Sequence, residues 1–230
     1  MLAATALCSA QQVNVEAEDQ VIVQDTLPKI GNNKYGLRVG IDIGKILRSF
    51  LDDQYQGIEL MGDFRIDKDY YLAAELGNAE FNSIENTLDA TSRGSYIKAG
   101  INYNAYNNWY GMSNLIYVGG RVGFASFEQE LNNYSIYTTS SFFEPDFRTN
   151  SRTFSGLSAT WLELQLGIQT ELFNNLYLGL NLQLKRTITN KQDDNFDTLF
   201  IPGFNKLTTD SPFGVGYGYT LSYLIPIFKK

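Results

Sequence analysis

The chain has 230 residues, with 18 basic and 25 acidic side chains and a net charge of −7. It contains no histidine and one cysteine, Cys8, which excludes Ser-His-Asp and Cys-His catalysis, His-ligated metals, Cys-cluster metal sites and an intrachain disulfide. The length suits one domain or two small ones, and the acidic balance argues against nucleic acid, which calls for a basic surface.

Residues 1–10, MLAATALCSA, read as the end of a secretory signal: an apolar stretch, then small residues, with cleavage after Ala10. The basic n-region is missing, so the start reads as internal to a longer signal. Acylation of Cys8 is the weaker reading, because Leu7 stands where a small residue belongs. Residues 11–34 form an acidic leader (Glu16, Glu18, Asp19, Asp25) assigned to the periplasm. Its one apolar patch is Val21, Ile22 and Val23. A disordered leader is the plainer reading; the functional one is a strand that docks on a partner's sheet edge. No other stretch reaches the roughly 18–20 apolar residues of a transmembrane helix.

From Gly36 onward the dominant period is two. Leu37, Val39, Ile41 and Ile43 oppose Arg38, Gly40, Asp42 and Gly44; Ile58, Leu60, Phe64 and Ile66 oppose Glu59, Asp63 and Arg65. Leu72, Ala74 and Leu76 oppose Tyr71, Ala73 and Glu75; Ile97, Ala99, Ile101 and Tyr103 oppose Tyr96, Lys98, Gly100 and Asn102. Ile116, Val118, Val122 and Phe124 oppose Tyr117, Gly119, Arg121 and Gly123; Leu162, Leu164, Leu166 and Ile168 oppose Trp161, Glu163, Gln165 and Gly167. Leu176 to Leu184 alternate with Tyr177, Gly179, Asn181, Gln183 and Lys185, and Val215 to Tyr223 with Gly214, Gly216, Gly218, Thr220 and Ser222. A helix would scatter these sets around its axis. Short turns are expected at 67–69, 105–114 and 173–175, long loops at 78–93, 127–155 and 186–212, and an intermediate link at 45–56.

This predicts an all-β fold, an eight-stranded antiparallel up-and-down transmembrane β-barrel over residues 35–230, with short turns at one end and long loops at the other. Alternation alone also fits a soluble lipocalin-like barrel with the faces reversed. Two features favour the membrane. The polar face is crowded with glycine, which weakens a solvent-facing strand but makes room inside a narrow barrel. It also carries both charge signs: Arg38, Arg65, Lys98, Arg121 and Lys185 against Asp42, Glu59, Asp63, Glu75, Glu163 and Glu171. Buried charges must be paired, so an interior network is expected. Tyr35, Tyr55, Tyr70, Tyr103, Trp109, Tyr110 and Phe173 are candidates for interfacial girdles.

The last segment, Gly218-Tyr219-Thr220-Leu221-Ser222-Tyr223, has the Gly, apolar, aromatic spacing of an outer-membrane insertion signal, although the chain runs on through Phe228 to Lys230. With the eight alternating segments from Gly36 to Phe228, it resembles the small eight-stranded outer-membrane β-barrel proteins of Gram-negative bacteria, many of them uncharacterised. That resemblance implies insertion signalled by Gly218, Leu221, Tyr223 and Phe228, a place in the outer membrane with both termini periplasmic, and contact with outer-membrane lipid. Enzymes of that architecture depend on histidine, which is lacking here.

An acid pair, Glu59 with Asp63, is the remaining catalytic option; charges answering Arg38, Arg65 and Arg121 are the plainer reading. Asp193-x-Asn195-x-Asp197 lacks the glycine and glutamate of a calcium loop. No cofactor and no metal are expected. Tyr134, Tyr137, Phe142, Phe143, Phe147, Phe200, Ile201 and Phe204 suggest an apolar loop surface that packs on itself or on a neighbouring protein, and the alternation of Tyr134-Ser135-Ile136-Tyr137 and Arg152-Thr153-Phe154 suggests that the fifth and sixth strands extend beyond the membrane. The expected role is a non-enzymatic structural or accessory subunit of a larger outer-membrane complex, with protein insertion or export machinery as a candidate and other outer-membrane or periplasmic proteins as partners. A narrow small-solute channel and a soluble lipocalin-like carrier are the alternatives.

Overall fold

The computed structural model describes residues 34–229 apart from 86–87, 107–113, 137–145, 149–150, 194–195 and 208–210. The signal and leader readings, including Val21, Ile22 and Val23, lie outside the described residues. So do Trp109, Tyr110, Tyr137, Phe142 and Phe143, and the side chains of Phe147 and Phe228.

In chain order the elements are β1 (Lys34–Asp42), α1 (Ile43–Leu51), β2 (Tyr55–Arg65), β3 (Tyr70–Glu85), β4 (Leu88–Asn104), β5 (Leu115–Ile136), β6 (Asp146–Arg148), β7 (Arg152–Phe173), β8 (Leu176–Lys191), β9 (Phe200–Ile201), β10 (Asn205–Lys206) and β11 (Phe213–Lys229). The long strands run in the order β4-β3-β2-β1-β11-β8-β7-β5, and β4 pairs back onto β5. Eight antiparallel up-and-down strands therefore close into a barrel. β6 pairs antiparallel with the last residues of β5, Tyr134 to Ile136, and β9 with β10 makes a separate short ribbon.

Period two explains which side faces where. Leu166 and Leu182 on the outside are 53% and 61% exposed, while Lys98 on the inside is 0% exposed. The apolar residues line the exterior and the charges the interior, the reverse of a soluble barrel. Outward polarity begins abruptly towards the loop end, where Leu76, Ile97 and Phe124 give way to Asn78, Ser95 and Ser126. At the turn end, the exposed Tyr70 and Tyr103 rings meet at 5.3 Å, and Phe173 is exposed beside the 174–175 turn.

Three expectations are corrected. The first segment does not remain a strand to Gly44: Asp42 Oδ1 accepts from Gly44 N–H (2.8 Å) and Lys45 N–H (3.2 Å) and so caps α1. The helix takes the place of the upper part of β1, between β2 and β11. Ser49 Oγ accepts from Gly57 N–H (2.8 Å), and Tyr219 N–H donates to Asp42 Oδ1 (3.3 Å), so strand edges that lack a neighbour are bonded by side chains. Second, 78–93 is no loop. The β3–β4 ladder continues to Glu85↔Leu88, because hydrogen bonding persists after the outer face turns polar. Third, Tyr55 is buried inside, and Tyr35 points at Arg65 (5.2 Å from ring to guanidinium), so neither belongs to an outer girdle.

Candidate functional site

At the height of the apolar belt, the strand charges other than Arg186 face the barrel interior. The ladder explains why: its register sets Arg38 opposite Asp63, Glu75 opposite Lys98, and Glu163 opposite both Arg121 and Lys185. Opposite charges on facing positions attract.

Near the turn end, Arg38 forks onto Asp63, with Nε to Oδ2 at 2.9 Å and Nη2 to Oδ1 at 2.7 Å. Its guanidinium lies 5.5 Å from the Tyr71 ring and 5.0 Å from the Tyr177 ring. Arg65 turns instead to the β2–β3 turn, donating to the carbonyls of Asp67 (3.3 Å) and Lys68.

Higher up, Lys98 stands among three carboxylates: Glu75, Glu59 (3.2 Å) and Glu163 (3.7 Å). Arg121 Nε reaches Glu75 at 3.2 Å, and Lys185 lies 3.9 Å from Glu163. Gln165 donates to both Glu163 (2.6 Å) and Glu75 (3.2 Å), and Trp161 Nε1 to Glu163 (3.3 Å). Lys45, projecting from α1, bonds Glu59 (2.6 Å) and the Tyr96 hydroxyl (2.5 Å), which itself donates to Glu59 (2.6 Å). Of the space left in the middle, a cavity of about 20 Å³ between Asp63, Glu75, Asn102, Tyr117, Arg121 and Gln165 has room for about one water.

Above the charges lies an apolar plug. The segment after β8 turns inward, contrary to the expected external surface: Phe200, Ile201 and Phe204 are buried in one cluster with Phe81, Tyr96, Phe127 and Trp161. Phe200 stacks on Phe81 (5.1 Å), and Phe204 meets Trp161 edge-on (6.0 Å). Gln129 holds the segment by accepting from Leu199 N–H (3.2 Å) and donating to the Asp197 carbonyl (3.0 Å); Lys185 donates to the Gly203 carbonyl (2.8 Å). Gly203 has φ +80°, and a Cβ there would strike the Tyr96 ring. On the interior wall, Trp161 and Tyr96 lie over Gly123 and Gly77, their cross-strand partners, and any side chain at those glycines would meet the rings.

Glu59 and Asp63 do not face each other as an acid pair; each answers its own cations. Asp42 caps α1, and Glu171 accepts from Asn175 N–H (2.9 Å) at the β7–β8 turn. Of the insertion-signal residues, Gly218 faces inward and Tyr223 outward, with Leu221 part-exposed on β11. Sequence reasoning missed Lys45 and the plug. The signals were there: Ile43, Ile46, Leu47 and Phe50 have helical spacing, and Phe200-Ile201-Pro202-Gly203-Phe204 is an apolar run with a turn pair inside a polar stretch. Among the described residues there is no cluster of metal-ligating side chains, and no helix is long and apolar enough to cross a membrane.

A family model described as "Domain of unknown function (DUF6048)" matches residues 1–230. The chain belongs to that family. No curated protein matches this DUF6048 chain. Among solved structures it is similar to Ail, the attachment invasion locus protein of Yersinia pestis, at 10% identity and a TM-score of 0.41, over 84% of this chain and 99% of that one. It is also similar to Ail in complex with the heparin analogue sucrose octasulfate, at 11% identity and a TM-score of 0.39, over the same shares. Scores this low say nothing about what the DUF6048 chain does.

Proposed function

We propose that this protein is a sealed, non-enzymatic β-barrel of the bacterial outer membrane, acting as a structural or accessory subunit of a larger outer-membrane assembly. One observation carries the membrane reading: apolar side chains cover the outside of a closed barrel whose inside holds the charges. Lipid tolerates a sheet only when every edge is paired by closure. The short turns at 67–69 and 174–175, against the long strands at the other end, favour periplasmic turns and termini. A lipocalin-like carrier needs the opposite faces, and a solute path needs a lumen less filled than this one. Ion-paired carboxylates and the lack of histidine speak for a non-enzymatic role. Beyond the apolar belt, β3, β4, β5 and β7 continue as a polar wall carrying Glu80, Arg93 and Glu128, where Glu128 holds Arg93 by a 2.6 Å bond. That wall is the surface offered to a partner.

Purification of the whole protein in mild detergent after cross-linking tests the role. A constant co-purifying protein is the expected result, and a barrel that always emerges alone would overturn the subunit reading. Recovery in the soluble fraction, with no heat-modifiable gel migration, would sink the membrane reading itself.

A further inference from the structure

Arg186 is out of place. It points outward from β8, where its neighbours across the ladder are Leu162 and Phe213, and the next outward residue towards the loop end is Ile188, itself exposed. It therefore lies inside the apolar belt rather than above it. A charge on the lipid-facing surface is costly unless it reaches the interface or meets an anion. The guanidinium sits over the Phe213 ring at 5.6 Å, and among the described residues no carboxylate pairs with it.

Below it runs a shallow groove of about 600 Å³ on the outer wall, lined by Ala99, Ile101, Gly120, Leu164 and Leu184, with Arg186 and Phe213 at one end. The groove exists because two outward positions are small. A Cβ at Gly120 would have nothing within 4 Å, whereas most outward positions nearby carry branched side chains. Two properties thus meet in one place: an apolar trough on a lipid-facing wall and, at its mouth, a cation with no carboxylate partner among the described residues.

We propose that this groove is a specific lipid site, holding one acyl chain against Ala99 and Gly120 while the lipid's phosphate is bound by Arg186. Arg186 stands near the loop-end limit of the belt, so its long side chain reaches the headgroup layer, where lipid phosphate is the available anion, and a guanidinium binds phosphate through a planar fork that a lysine lacks. The site rests on the membrane reading proposed above.

The test uses native mass spectrometry of the full chain folded in detergent micelles, with phosphatidic acid, diacylglycerol of the same chain length and inorganic phosphate as separate probes. One phosphatidic acid per barrel is expected, with weak binding of the other two. Arg186→Gln should lower its retention about tenfold, the loss of roughly one charge-assisted contact. Gly120→Leu should do the same by filling the groove while leaving Arg186 in place. Heat-modifiable migration verifies that both variants fold. Undiminished phosphatidic acid in either variant overturns the proposal, as does equal binding of diacylglycerol, binding of inorganic phosphate alone, or a dimer that covers the groove. A chain that never enters micelles would instead overturn the membrane reading, and would do so before any lipid is added.

Discussion

Lys98 is the residue on which the interior turns. It comes from β4, is completely buried, and neutralises carboxylates from β2, β3 and β7 at once. Replacing a buried cation leaves its partners charged in a low-dielectric space, a loss of about 3–5 kcal/mol for a broken buried pair. Lys98→Met is therefore expected to destabilise the barrel by that order, measured by urea unfolding in micelles. Glu59→Gln should cost less, since it relieves Lys98 of only one partner and keeps an acceptor for Tyr96 and Lys45. An equal loss in both variants would mean that Lys98 is not the shared centre. The composition of this network was legible in the sequence, because inward residues recur at every second position of each segment. Its wiring was not. Which carboxylate meets which cation depends on register, and a local period contains no register.

At the scale of elements, the strands were legible wherever the outer face was apolar and, beyond it, only where alternation resumed, as at 134–136 and 152–154 in the extensions of β5 and β7. β3 and β4 extend past Leu76 and Ile97 with polar residues on the outside, so the signal ended before the ladder did. α1 was hidden because β1's alternation runs straight into Ile43, and the change is marked only by the cap at Asp42 and the helical spacing of Ile43, Ile46, Leu47 and Phe50 after it. Asp42→Ala removes the acceptor for Gly44, Lys45 and Tyr219 together, and a loss of about 1–2 kcal/mol is expected from the cap. Asp42→Asn keeps an acceptor and should stay close to the parent in the same unfolding assay. The plug makes a contrasting case. Its aromatics read as an outer surface because loops are ordinarily exposed, yet they fill the mouth of the barrel. Phe204→Ala empties a buried aromatic site against Trp161, so a loss of about 3–5 kcal/mol is expected. Planar-bilayer recordings of that variant should remain silent, because the charged layer beneath the plug is untouched. Steps of conductance in Phe204→Ala would show that the plug alone closes the lumen.

At the scale of the whole molecule, the barrel is an inversion: polar matter inside, apolar matter outside, with a sharp change of exterior along the long strands. A soluble barrel with this exterior would expose far more contiguous apolar surface than monomeric proteins tolerate, so the exterior demands a second solvent. If that solvent is a bilayer, the same substitution must cost different amounts at different heights. Leu166 lies midway along the apolar run of β7, whereas Ser126 on β5 stands just beyond the belt; both face outward. An arginine at the bilayer midplane costs about 2–4 kcal/mol and near the interface about 0–1 kcal/mol. Leu166→Arg should therefore unfold from vesicles at clearly lower guanidinium concentration than the parent, and Ser126→Arg at nearly the same concentration. In detergent-free aqueous buffer no such difference in height exists, and both sites would then tolerate a surface charge alike. Equal midpoints for the two variants in vesicles would remove the depth dependence on which the membrane reading stands, and with it the reason for the charges to be inside.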